Sequence, residues 1–411
     1  MSGTRTAVFN RANRSIVLVL IAGFVFRLAW LVLAQPEPVS DYQVYVRLAE
    51  NLLDQRFFGI DGPSALWLPG FPTFLAALML ISRSVTWLSF VMVALSTAVS
   101  FLVYLLALRL TSRQAVALTA AGVSAVSPTF VLYSPVVGTE HLFVLLFLGS
   151  LLITLSLRPD RLPAAGAAGV ITGLAILTRG EMVFYLPVLA AILWFGLGIR
   201  DRVARVRLSA VLAVAMLLVI SPWIVRNAVV IQPGVNLSTV GGMNFYFGHR
   251  ADGYGFTTDV PWPPGDDLAA NRIGWEEGLA YVRERPMSVL ESVRAGTIEM
   301  LESPDYALIW STQEPVPGAF LEWTPRYVRL QGVADRALRV GAVVLLTLAA
   351  AAYVTWRSWP RNLIIVAVGI PFFSWVGHAV LFMGNPRFRY TTETILAILV
   401  AVTLVALREG A

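Results

Sequence analysis

Residues Ile16–Ala34, IVLVLIAGFVFRLAWLVLA, form a long apolar run, and a few residues later the chain reads Val39-Ser40-Asp41-Tyr42-Gln43-Val44-Tyr45. A spanning helix needs roughly 20 mostly apolar residues, because lipid offers backbone amides no partner outside the helix itself. The run therefore reads as a membrane span, and Asp41 as an acid just past its exit. A helix-like segment to Leu53 follows, and then Trp67-Leu68-Pro69-Gly70-Phe71-Pro72. That is not generic loop composition, and Asp41 is read as the reactive acid of a membrane enzyme.

The whole chain extends the pattern. Its 411 residues are 57% hydrophobic and 14% charged, too apolar for a soluble domain and too long for a simple anchor. No cysteine is present, which excludes disulfides and thiolate metal sites. The net charge of +6 is carried by arginine alone, since the chain has no lysine. Those arginines are scattered among apolar runs rather than gathered on one face, so they speak of topology and not of nucleic-acid binding.

Apolar length predicts ten spans, at about 15–34, 86–108, 114–132, 139–157, 163–178, 181–199, 207–225, 337–356, 362–381 and 393–408. Arginine should collect on cytoplasmic ends. Arg5, Arg11 and Arg14 precede the first span, Arg109 and Arg113 join the second to the third, and Arg158 and Arg161 the fourth to the fifth. Arg200, Arg202, Arg205 and Arg207 join the sixth to the seventh, Arg357 and Arg361 the eighth to the ninth, and Arg408 follows the last. Both termini are thus expected in the cytoplasm and Asp41 outside. Val32-Leu33-Ala34 resembles a signal-peptide cleavage site, but the run is long for a signal h-region.

The expected fold is an all-α polytopic membrane protein in three parts: an N-terminal transmembrane module, 1–226, with a first extracytoplasmic loop at 35–85; a large extracytoplasmic loop, 227–335; and C-terminal transmembrane helices, 336–411. Interfacial helices are predicted at about 42–54 and 71–82. Leu279, Val282, Val289, Leu290, Val293, Ile298 and Leu301 recur at helical spacing on either side of Pro286, which predicts two amphipathic helices within 267–302. The Ala/Gly run 164–169 reads as membrane helix with room for close packing.

With this topology, the polar residues left at outer span ends form one tier: Asp41, Glu140 with His141, Arg179 with Glu181, Arg226 with Asn227, and Arg387 with Arg389. Ionisable groups at that depth are expensive and suggest function, and acids converging with arginines suit a phosphate-bearing ligand. Bland readings compete for each. Asp41 follows Ser40 where a helix N-cap would sit, Glu140 suits a helix dipole, and Arg179 pairs readily with Glu181. Arg226 suits an interface anchor, whereas Arg387 and Arg389 lie on the side that the positive-inside rule disfavours. His141, His249 and His378 have no metal-ligand spacing, and no nucleotide or redox motif is present.

These residues resemble the GT-C superfamily of polyprenyl-phosphate-sugar-dependent glycosyltransferases, in particular bacterial protein-mannosyltransferase-like and aminoarabinose-transferase-like membrane enzymes of the family 39 type. Ser40-Asp41-Tyr42 with Tyr45 is similar to the first-loop acid motif, and Trp67–Pro72 to a "PPGYP" segment. Ser134–Glu140 resembles the acid before the fourth span, and Leu177-Thr178-Arg179 the basic turn after the fifth. Pro222-Trp223, Arg226-Asn227, Ser238-Thr239 and Gly241-Gly242-Met243-Asn244 resemble a "PW…RN…ST..G.N" signature, and Pro386–Tyr390 an arginine-tyrosine motif. Tyr42 stands where many relatives have a second acid.

The resemblance implies a GT-C fold and transfer of a sugar from a polyprenyl-phosphate donor to an extracytoplasmic glycan, lipid or protein hydroxyl with inversion. Asp41 would be the general base; Arg387, Arg389, Arg226 and Arg179 would bind the donor phosphate; Glu140, His141, Tyr42, Tyr45, Asn244 and Tyr390 would bind substrate. No cofactor or metal is expected, although some relatives use a divalent ion. The implied setting is the cell membrane, with lipid and no nucleic acid as partner. The rival is a lipid or sugar transporter, for which charges should run through the spans to both faces.

Overall fold

The structure, a computed structural model, describes residues 2–250, 253–301, 305–317, 323–325, 328–355 and 359–410. Arg357 lies outside them, as do the side chains of Arg5 and Arg11. Helix α1 (Ser2–Ala34) is followed by two short helices, α2 (Asp41–Asp54) and α3 (Gly70–Met79), and then by α4 (Val85–Thr111). The predicted third span breaks. Helix α5 (Gln114–Val126) stops at Ser127 because Pro128 disfavours helical backbone in the residue before it, and Pro128 then opens the single turn α6 (Pro128–Leu132).

Helices α7 (Thr139–Leu155), α8 (Leu162–Thr178) and α9 (Met182–Ala191) follow, the last closing in a π turn at Ile192–Gly196. Helix α10 (Arg202–Val230) runs past Asn227. Its long connection to α15 contains α11 (Val240–Gly248), α12 (Asp267–Glu284), α13 (Ser288–Leu301) and α14 (Asp305–Thr312). It also holds a two-stranded antiparallel ribbon, β1 (Gln313–Pro315) with β2 (Trp323–Pro325), in which Gln313 faces Pro325. The predicted break at Pro286 falls between α12 and α13. Helices α15 (Val328–Thr355) and α16 (Arg361–Trp375) follow, then a π turn at Val376–Leu381, a 3₁₀ turn at Pro386–Arg389 and α17 (Tyr390–Gly410).

Among the described residues five segments are long and apolar enough to cross a membrane: Arg14–Ala34, Val85–Thr111, Arg202–Val230, Arg361–Leu381 and Pro386–Gly410. Shorter apolar helices fill the space between them, so the chain is an all-α, multi-pass membrane protein. Helix α17 is its axis. In its most apolar stretch 78% of residues are buried, against 22% in α1 and in α10, and α4, α5, α7, α15 and α16 pack around it. The exposed valines, leucines and isoleucines of α1 and α10 suit contact with lipid.

Helix α8 meets α10 through small residues. A Cβ on Gly173 would lie 2.7 Å from the Val219 side chain, and Gly169 leaves still less room against Leu212, so the two backbones approach closely.

A charge is also buried inside the first span. Arg27 of α1 is fully buried and donates five hydrogen bonds of 3.0–3.2 Å, to the hydroxyls of Ser96 and Ser100 and to the carbonyl oxygens of Gly23, Ser124 and Ala125. It pins α1 to α4 and α5. Arg27→Ala is expected to destabilise the protein by about 2–5 kcal/mol, the range for truncating a long buried side chain. Thermal unfolding in detergent checks this, and an unchanged midpoint would refute it.

Candidate functional site

The site is built where α2, α7, the α8–α9 turn and the segment before α17 converge. Ser40 occupies the N-cap position of α2 with φ +51°, a conformation that L residues adopt only under strain, and its side chain makes no cap bond. Asp41 is the first residue of the helix. Its carboxylate faces across the fold rather than capping α2: Arg387 Nη1 donates to Asp41 Oδ2 at 3.1 Å. Residues Trp67–Pro72 buttress the helix, with Trp67 and Phe71 packed edge-on against Tyr45. Gly70 permits this, since a Cβ there would lie 2.7 Å from the backbone of Leu177.

From Asp41 a chain of charges runs inward. Arg387 Nε lies 3.6 Å from Glu140 Oε1, which also accepts from Arg179 Nη1 at 2.7 Å. Arg179 donates onward to Thr139 at 2.8 Å and to Glu181 at 3.1 Å. Glu181 in turn accepts from Thr391 at 3.0 Å and faces His378 at 3.4 Å. The outer end is the most exposed, the side chain of Asp41 being 29% exposed and Arg387 17%, against 2% for Glu140, 11% for Arg179 and 5% for Glu181 further in. Phe388 lies beneath both guanidiniums and stacks on the His378 ring at 4.1 Å.

Glu140 stands in the first turn of α7, where a carboxylate suits the helix dipole. Its Oε2 is buried and meets no hydrogen-bond donor among the described residues. Gly138 makes room for it, since a Cβ there would sit 2.5 Å from that oxygen and 2.8 Å from the Tyr42 ring.

The predicted site residues divide. Asp41, Glu140, Arg179 and Arg387 come together. His141, Tyr42 and Tyr390 form a second, buried group beside them. Tyr390 donates its hydroxyl to His141 Nδ1 at 2.7 Å, His141 Nε2 donates to the Tyr133 carbonyl at 3.1 Å, and the Tyr133 hydroxyl bonds that of Tyr42. Arg389 turns away from Asp41, to Glu393 and to the Met300 carbonyl, both at 2.9 Å. Arg226 ties down the first loop by donating to the carbonyls of Ser64 and Phe58 at 2.7 and 3.0 Å. Asn244 is half-buried on α11 and makes no hydrogen bond to the charge chain.

Glu181, His378 and Phe388 also take part, although the sequence alone assigned them no individual role. Glu181 was legible as a partner for Arg179. A histidine within an apolar span was a usable signal for His378. Nothing local distinguishes Phe388 from the other aromatics.

Comparison with known proteins agrees with this architecture. Residues 62–225 match the family described as dolichyl-phosphate-mannose-protein mannosyltransferase. That stretch holds Glu140 and Arg179, while Asp41 and Arg387 lie on either side of it. A crystal structure of the Archaeoglobus fulgidus oligosaccharyltransferase, tethered with an acceptor peptide containing the NVT sequon via a disulfide bond, has a similar fold. The TM-score is 0.52 at 16% sequence identity, over 96% of this chain and 50% of that one. This chain thus spans about half the length of that protein, and the likeness is one of fold. No curated protein sequence matches the chain. The family match thus covers part of the chain, and the solved structure shows the fold that the chain shares.

Proposed function

We propose that the protein moves a sugar from a polyprenyl-phosphate donor to a hydroxyl of an acceptor glycan, lipid or protein. Transfer takes place on the extracytoplasmic side of the cell membrane, with inversion at the anomeric carbon. The observation that carries this reading is the Asp41–Arg387 pair: a partly exposed carboxylate held at 3.1 Å by a guanidinium, at the most open end of the charge chain. The acceptor O–H gives its proton to Asp41 while its oxygen bonds to the anomeric carbon. The bond from that carbon to the phosphate oxygen breaks, and its electron pair leaves with the polyprenyl phosphate. The step is redox-neutral and needs no cofactor.

Arg387 has a timed role in this scheme. While Asp41 is ionised it holds the guanidinium; once Asp41 takes the proton, that attraction is gone. Arg387 is then released toward the leaving phosphate as negative charge grows there, which stabilises the transition state. Glu140 and Arg179 support Arg387 from the buried side. The buried positions of Tyr42, His141 and Tyr390 suit them to shaping the sugar pocket, with Tyr45 and Asn244 as further candidates for its wall. Arg389 and Arg226, each engaged by backbone carbonyls, are assigned to holding the fold.

The test is sugar release from a panel of polyprenyl-phosphate sugars by purified protein in lipid, with native envelope extract as acceptor. Release from one donor and not from its pyrophosphate-linked counterpart is expected. Binding of no donor, or uptake of sugar into vesicles without release, would replace this reading with transport.

A further inference from the structure

Arg387 is carried by a short segment, Phe382–Arg389, between the π turn that closes α16 and the start of α17. The α10–α15 connection grips this segment from outside the charge chain. The backbone N–H of Gly384 donates to the Tyr254 hydroxyl oxygen at 2.5 Å. Gly384 and Gly296 of α13 meet backbone to backbone, and a Cβ on Gly296 would lie 2.9 Å from the Ala379 carbonyl oxygen. Arg389 donates to the carbonyl of Met300, in the last turn of α13, where helix carbonyls have no intrahelical partner. Trp375 donates to Thr297 of the same helix at 2.8 Å. Within the segment, Asn385 Oδ1 accepts from the Arg387 N–H at 2.9 Å and sets the 3₁₀ turn.

We infer that Tyr254 and Arg389 are positioning residues, which fix through the backbone of 384–389 where the Arg387 guanidinium stands between Asp41 and Glu140. The inference rests on the transfer reading of that site. Arg387 lies at the free end of a long side chain, and only a fixed backbone lets it meet two carboxylates, at 3.1 and 3.6 Å. Burial pushes the Tyr254 phenol up to about 12, so its oxygen stays a neutral acceptor over the working pH range. Arg389 closes the other end of the segment, buried between Glu393 and Met300.

Tyr254→Phe keeps the ring and removes the acceptor. Its expected effect is a kcat lowered about tenfold with donor KM changed less than about threefold, the scale of one buried hydrogen bond, because Arg387 meets the phosphate only as charge grows there. In the Arg387→Lys background the same substitution is expected to add less than about threefold, because the two act on one interaction. Multiplying factors in that cycle, or an unchanged kcat, would overturn the inference. A second measurement needs no turnover. The chain has no cysteine, so Asp41→Cys with Arg387→Cys can be joined by a short bifunctional thiosulfonate. Tyr254→Phe is expected to slow that crosslinking about tenfold; an unchanged rate would overturn the inference whatever the donor kinetics. If the wild-type protein releases no sugar but the crosslinking rate still falls, the transfer reading fails and the positioning stands.

Discussion

Asp41→Asn is expected to lower the rate of sugar transfer by about 10²–10⁴-fold, the usual worth of a general base, with donor affinity nearly unchanged. Asparagine has the size of aspartate, and its amide oxygen still accepts from the Arg387 guanidinium, so the neighbourhood keeps its shape. What is lost is the ability to take a proton, together with the charge that holds Arg387 until the proton arrives. Transfer kinetics and donor binding must therefore part company. Single-turnover release from a bound donor measures the first, and displacement of a labelled donor the second. Equal release by both proteins would remove Asp41 from the chemistry. Loss of donor binding in the variant would make Asp41 a binding residue.

The apolar runs made the helices legible, because a chain in lipid must satisfy its amides locally and a run of sufficient length has one solution. The break at Pro128 was the exception within that logic, since apolar length alone passes over a proline that stops one helix and starts the next. The site was legible as a tier of charges but not as a wiring diagram. Arg387 and Arg389 stand two residues apart in one motif, yet one faces Asp41 and the other Met300. The partners that decide between them are hundreds and tens of residues distant, and no local spacing encodes them. Arg226 is a similar case, tied to carbonyls of a loop more than a hundred residues earlier. Arg27 was missed for another reason. Its apolar neighbours outweigh it in any hydropathy average, and its partners are serines and carbonyls of two other spans that carry no charge signal.

Arg179→Ala is expected to have the largest effect on stability. The guanidinium is shared by Glu140 and Glu181, both nearly inaccessible to water, and its removal leaves two buried carboxylates short of charge compensation. Breaking a buried pair from one side costs about 3–5 kcal/mol, far more than the pair contributes over an uncharged replacement. The remaining partners divide the loss unevenly. Glu140 keeps Arg387 at 3.6 Å, while Glu181 keeps a hydroxyl and His378. Adding Glu181→Gln to Arg179→Ala should therefore recover part of the lost stability, because it removes the carboxylate with the weaker remaining support. Thermal unfolding of the single and double variants in detergent reads both effects. A loss below about 1 kcal/mol in Arg179→Ala, or a double variant less stable than the single one, would mean that the charges are held by water rather than by each other. The same arginine backs Glu140 against Arg387, so Arg179→Ala is also expected to weaken donor binding. That coupling separates it from Arg27→Ala, which should lower stability while leaving the donor affinity of the surviving folded protein intact.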